Sequence, residues 1–174
     1  MTDNAHVAAR AKLLRTHGKS SSRAAAEMLG HNSLLAASHA AQLCVSLRHH
    51  ARRQAHREAV AERLNAQFAN LPELELPSQR EQCLHNWHKY VITTPQRDAL
   101  HEHLKQAGIE TQIHYPRLLP DETIFRRKQH RESGRARRHV TRCLTLPLHP
   151  HLSDIEVERL IDGVRSFCAC GSPR

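Results

Sequence analysis

Aromatic residues are scarce in this chain. Six positions in 174, Trp87, Tyr90, Tyr115, Phe68, Phe125 and Phe167, must serve the whole interior. The core therefore has to rest on Leu, Ile, Val and Ala. No apolar run approaches the roughly 20 residues that cross a bilayer, so a membrane-spanning segment is excluded as a reading of the sequence. Met1-Thr-Asp-Asn-Ala-His lacks the apolar stretch of a secretory leader, from which a cytoplasmic location is expected. No Cys-x-x-Cys pair exists to start a zinc site. The five cysteines, at 44, 83, 143, 168 and 170, are odd in number and lack framework spacing. They read as reduced thiols rather than a disulfide scaffold.

Acidic residues are also in deficit. Lys and Arg number 26 against 17 Asp and Glu, giving a formal charge of +9, with sixteen histidines in reserve. Such a balance suits nucleic acid, an anionic surface or a phosphorylated substrate. Eight of the basic residues lie between Arg126 and Arg142 against the single acid Glu132. That cluster contains no aromatic to stack a base, and no RNA-binding or helix-turn-helix pattern surrounds it. A solvated basic face is the expectation there.

The chain length allows one sizeable core. Residues 5–16 read as a helix capped by Asp3 or Asn4, broken at Gly18. A long helix is expected from Leu34 to Phe68, with apolar residues at its ends (Leu35, Leu43, Leu47; Val60, Leu64, Phe68) and only Ala51 and Ala55 between. Helices with so thin a stripe lean on a neighbouring domain or subunit. Leu74-Glu-Leu76 and Trp87–Thr93 are strand candidates. Thr94-Pro95 supplies a cap and a first-turn proline for a helix burying Leu100, Leu104 and Ala107, which Gly108 closes. Strands are expected at Ile109–Tyr115 and Leu144–Leu148. Ser153-Asp-Ile-Glu156 is a capping box, and the helix after it turns Val157, Leu160, Ile161 and Val164 to one side.

This order of elements, helices on one face of a small sheet, is an α+β layer. Its wording is more specific than its pattern. Arg97-Asp-Ala-Leu100 to Gly108-Ile109, then Ile113-His-Tyr-Pro116, is similar to the DegT/DnrJ-type sugar aminotransferases. So are Leu144-Thr-Leu-Pro-Leu-His-Pro150 with its helix, Leu13-Leu-Arg-Thr-His-Gly18 and Gly30-His-Asn32. The resemblance covers nearly the whole chain. It implies the small C-terminal domain of the type I, aspartate-aminotransferase-like fold, whose enzymes use pyridoxal 5'-phosphate (PLP) and work as dimers. On that basis residues 1–33 correspond to large-domain and linker chain, 34–71 to a long interdomain helix, 72–167 to the small domain and 168–174 to a tail.

The resemblance implies roles for three residues. Asn32 would reach the phosphate of PLP held by a partner subunit, with helix capping as its alternative role, and His114 and Tyr115 would face the nucleotide-sugar substrate, the expected alternative for His114 being a strand histidine bonded to a backbone carbonyl. It also places the Schiff-base lysine, and the acid that PLP chemistry needs at the pyridinium nitrogen, before Met1. None of Lys12, Lys19, Lys89, Lys105 and Lys128 stands in the small-residue turn that the family uses. No catalytic residue and no metal ligand is therefore assigned, and the chain by itself is not expected to bind PLP or transaminate. Leu34 and Ala36 stand where the family continues with an arginine and an acid, and Arg117-Leu-Leu-Pro-Asp-Glu-Thr replaces its polar and aromatic residues. Two other readings stand beside the first: a non-catalytic interaction module pairing with an intact paralogue, and a basic module for nucleic acid; the expected partner is a second copy of the chain or such a paralogue.

Overall fold

Apolar side chains are distributed very unevenly along this chain. The computed structural model describes residues 2–125 and 134–170; the centre of the basic run, including Lys128, lies outside them. The chain divides at His50 into two units.

The first unit holds helix α1 (Ala5–Arg15) and helix α2 (Ala37–Arg48), and neither helix buries a residue. Asn4, not Asp3, caps α1: its Oδ1 accepts the amide hydrogens of His6 and Val7 at 3.0 and 3.2 Å. After α1 the chain turns at Gly18, with φ +75°, and returns against it. His31 N donates to Leu14 O at 2.7 Å and His17 N to His31 O at 3.0 Å. A Cβ on Gly30 would lie 2.2 Å from the Gly18 nitrogen, so only glycine allows this approach.

The expected single helix from 34 to 68 is two helices. His49 is non-helical between α2 and α3 (His50–Phe68). Ala51 and Ala55 are exposed, so neither provides the expected inward contact at the start of α3. Helices in proteins persist through packing more than through propensity, and Arg48-His-His50 supplies none. The first helical residue, Ala37, also lies beyond Asn32, and the cap position is Ala36; Asn32 is not a helix cap.

The second unit takes in all but the first residue of α3 and so begins well before the expected boundary at 72. Val60, Ala61, Leu64 and Phe68 of α3 are buried in its core. Strand β1 (Tyr90–Thr93) pairs antiparallel with β2 (Cys143–Leu146), Tyr90 opposite Leu146 and Ile92 opposite Leu144. Single bridges extend the pair on both sides, Glu75 with Thr93 and Gln112 with Thr145. Helix α4 (Arg97–Gln106) and helix α6 (Asp154–Cys170) pack together beside this sheet. Gly163 sits at their contact, where a Cβ would come within 2.9 Å of Leu104 and 2.8 Å of Ile109. A one-turn 3-10 segment (Leu119–Asp121) and helix α5 (Gly134–Arg142) precede β2.

Several boundaries differ from the sequence reading. Trp87 is not in β1: it has φ +47°, its amide donates to His85 Nδ1 at 2.9 Å, and its ring packs against Tyr90. Aromatic character there fills the core instead of marking a strand. Helix α4 starts at Arg97, while Thr94 accepts from Gln96 N one turn earlier. Ala107 is its exposed C-cap. Residues 109–115 form one bridge instead of a strand, and the left-handed Tyr115 (φ +54°) ends any extension. Strand β2 begins one residue early and stops before Pro147, which has no amide hydrogen to donate. Helix α6 runs on to Cys170, into the expected tail. The capping box is present as read: Ser153 N donates to Glu156 Oε2 at 2.8 Å, and Glu156 N to Ser153 Oγ at 3.3 Å. Gly108, φ +72°, closes α4, with Ile109 N bonded to Leu104 O.

Candidate functional site

Thr145 lies on β2 with both backbone groups bonded to Gln112. Its hydroxyl is 2.8 Å from His114 Nδ1. A backbone carbonyl was the expected partner for this imidazole; the sequence carries no signal that picks Thr145 out. Burial, with Lys89 and His88 as further causes, pushes the His114 pKa below the ordinary histidine value. When Thr145 donates to Nδ1, the proton resides on Nε2.

Tyr115 follows and is 80% exposed. Lys89 Nζ lies 6.0 Å from the centroid of that ring, within cation–π range. Among the described residues Lys89 makes no ion pair. His88, Lys89, His114 and Tyr115 thus form a basic, partly aromatic surface at the edge of the sheet. Left-handed backbone at both Trp87 and Tyr115 sets the ends of the two segments that build it. Such a surface can hold a phosphate by donated hydrogen bonds and by charge. The sequence pointed to His114 and Tyr115, and the structure adds Lys89, His88 and Thr145 to them.

Asn32 belongs to the first unit. Its backbone is held in the antiparallel bridge with Thr16, while Ser33 N donates to Arg15 O at 3.1 Å. Its side chain is exposed and makes no hydrogen bond among the described residues. Leu34, two residues on, is also exposed. The backbone positions an amide that is free to meet a ligand.

PLP requires a lysine and an acid facing the ring nitrogen. The described residues do not meet this requirement by themselves. No Asp or Glu among them is buried; the buried polar residues are Thr94 and Thr145. Lys12 is exposed on α1 and Lys19 lies in a turn. Lys105 is exposed and pairs with Glu102 at 3.6 Å, and Lys89 faces Tyr115.

A short antiparallel sheet packed with helices and entered from a preceding helix is the small-domain half of the type I PLP-dependent aminotransferase fold. The chain belongs to the DegT/DnrJ/EryC1/StrS aminotransferase family, whose profile matches residues 1–165. It is 31% identical over 169 residues to the dTDP-3-amino-3,4,6-trideoxy-alpha-D-glucose transaminase of Streptomyces venezuelae, covering 96% of this chain and 44% of that protein. It is 34% identical over 116 residues to the erythromycin biosynthesis sensory transduction protein EryC1 of Saccharopolyspora erythraea, covering 67% of this chain and 31% of that one. Its backbone matches that of S. venezuelae DesV in complex with a ketimine intermediate at a TM-score of 0.89 and 30% identity, over 97% of this chain and 46% of DesV. An aminotransferase of the same family from Brucella abortus matches at 0.86 and 26% identity. The chain spans less than half the length of these relatives. Among the described residues no helix is long and apolar enough to cross a membrane.

Proposed function

We propose that these 174 residues act as the small-domain part of a PLP-dependent sugar-nucleotide aminotransferase of amino-sugar biosynthesis, and that they do not transaminate by themselves. The observation that carries this reading is the pairing of a family match over nearly the whole chain with the lack of any buried carboxylate among the described residues. When bound, PLP supplies the electron sink for amino-group transfer; the lysine and acid that support it lie outside these 174 residues. Here Lys89 and the Nε2–H of His114 hold a substrate phosphate, Tyr115 covers it, and Thr145 fixes the imidazole. Asn32 contributes one contact to the phosphate of PLP bound by a partner subunit. Such a contact is worth about 1.5–3 kcal/mol, too little to retain PLP against dilution.

The partner is a second copy or an intact paralogue, in the cytoplasm. The exposed leucines of α2, with Leu43 at 52% and Leu47 at 68% exposure, favour pairing as a function in its own right. To test the reading, the purified chain is mixed with PLP, reduced with borohydride, and its labelled lysines are mapped. Scattered, substoichiometric labelling is the expected result. Stoichiometric labelling of one lysine, with amino transfer to a keto-sugar nucleotide, would overturn it.

A further inference from the structure

The core of the second unit has one leak. Three of its apolar residues keep more solvent contact than any other buried hydrophobic side chain among the described residues: Ile109 at 9%, Leu148 at 8% and Leu152 at 7%. All three line the same cleft, about 520 Å³ in volume, between residues 108–112 and the segment that leads from β2 into α6. Leu160, itself fully buried, completes the apolar floor. The cleft's volume falls within the roughly 300–1,000 Å³ usual for small-ligand sites, and polar residues make up the larger part of its lining around the apolar floor.

The rim determines what kind of ligand fits. Lys89 and Arg159 stand on it with His88 and His149, opposed by the carboxylates of Glu110 and Glu156. Glu156 is already engaged, its Oε2 accepting from both the amide and the hydroxyl of Ser153 at 2.8 Å. Arg159 uses one nitrogen, Nη2, to donate to Ala107 O at 3.1 Å, which anchors the guanidinium at the lip of the cleft. Neither Arg159 nor Lys89 is in an ion pair among the described residues. Gly108 lies beside Arg159, the position of a Cβ being 3.5 Å from Arg159 Nη2, an ordinary contact distance.

We infer that this cleft is a binding site for a small organic anion with a compact apolar body, such as an aryl or short-chain carboxylate. The body lies on Ile109, Leu148 and Leu152, and the carboxylate meets the free N–H groups of Arg159, with Lys89 adding charge. The cleft adjoins the His114–Tyr115 surface and shares His88, Lys89 and Thr145 with it, while Ile109, Leu148, Leu152 and Arg159 belong to the cleft alone. It does not depend on the chain's having activity. Occupancy would tie the 108–112 segment to the first turns of α6, giving the fold a place where a metabolite stabilises the small domain.

The test is a titration of the isotopically labelled full chain, followed by amide chemical shifts, with benzoate, neutral benzamide and cationic benzylamine. Saturable shifts are expected at residues 109–112 and 148–152, with benzoate binding about fivefold more tightly than benzamide, as one exposed charge contact allows. Arg159→Gln should remove that preference, and Arg165→Gln, on the same helix, should keep it. Should Arg159→Gln disturb folding through the lost Ala107 bond, Lys89→Gln is the second variant and should lower the benzoate preference. Benzylamine binding as tightly as benzoate would show that Glu110 governs the rim and would overturn the proposal. So would shifts that never saturate, or that map to α2 or to residues 113–115.

Discussion

The two units of this chain solve the problem of burial differently. Among the described residues from 51 onward nineteen hydrophobic side chains, from Val60 to Val164, are buried. In residues 2–50 no hydrophobic side chain is buried, and Leu29, Leu34, Leu35, Leu43 and Leu47 are all more than half exposed. The first unit is held by backbone bonds and a glycine contact at Gly18 and Gly30, the second by a core that α3, α4, α6 and the sheet share. A unit with its own core is set by its own sequence. A unit without one depends on whatever surface covers its leucines.

The largest expected effect contrasts one leucine from each unit. Leu64→Ala opens a cavity in the core and should cost about 2–5 kcal/mol in urea unfolding. Leu47→Ala should cost less than about 0.5 kcal/mol, as at other open surface positions. Equal losses would end the distinction between the units.

A smaller effect should come from Tyr90→Phe. The Tyr90 hydroxyl donates to Asn65 Oδ1 at 2.7 Å, joining β1 to α3, and burial raises its pKa well above the ordinary value. Losing this bond should cost about 1–1.5 kcal/mol in the same assay. No loss would mean that α3 is less tied to the sheet than its buried face implies.

Much of the second unit was legible because its signals are local. The Ser153–Glu156 box, the Gly108 closure and the apolar face of α6 are each set within a few residues. What was not legible depends on distant partners. Trp87 packs as a left-handed residue on Tyr90 and His85, and a pattern of alternating residues cannot signal that. The break at His49 reflects missing packing rather than a glycine or proline. At the candidate site, His114 and Tyr115 were marked by a motif, but Thr145 enters through sheet register and Lys89 through its reach across the surface.

The capping box gives the next effect in size, with its own pH signature. Ser153→Ala should cost about 1 kcal/mol near neutral pH. The Glu156 carboxyl is held below the usual range by its backbone and side-chain bonds to Ser153. Its folded pKa is therefore lower than its unfolded one. The stability it adds is complete above the unfolded value, about 4.3, and is lost as pH falls through the folded value. The difference between wild type and Ser153→Ala should shrink on acidification below that range. A difference that grows there would contradict the capping geometry.

The smallest effect is expected in the His114 imidazole. Its folded pKa is depressed, so the unfolded chain takes up the proton first and stability falls as pH drops below about 6.5, the unfolded value. His114→Gln should flatten that slope without changing stability at pH 8, which thermal unfolding at several pH values would reveal.

The claim that one unit carries the core and the other does not is tested most directly by hydrogen exchange on the intact chain, read segment by segment. Amides of α6, α4 and the Val60–Phe68 stretch of α3 should exchange only with global unfolding, while those of α2 should exchange orders of magnitude faster. Protection of α2 equal to that of α6 in the dilute, monomeric chain would contradict the account.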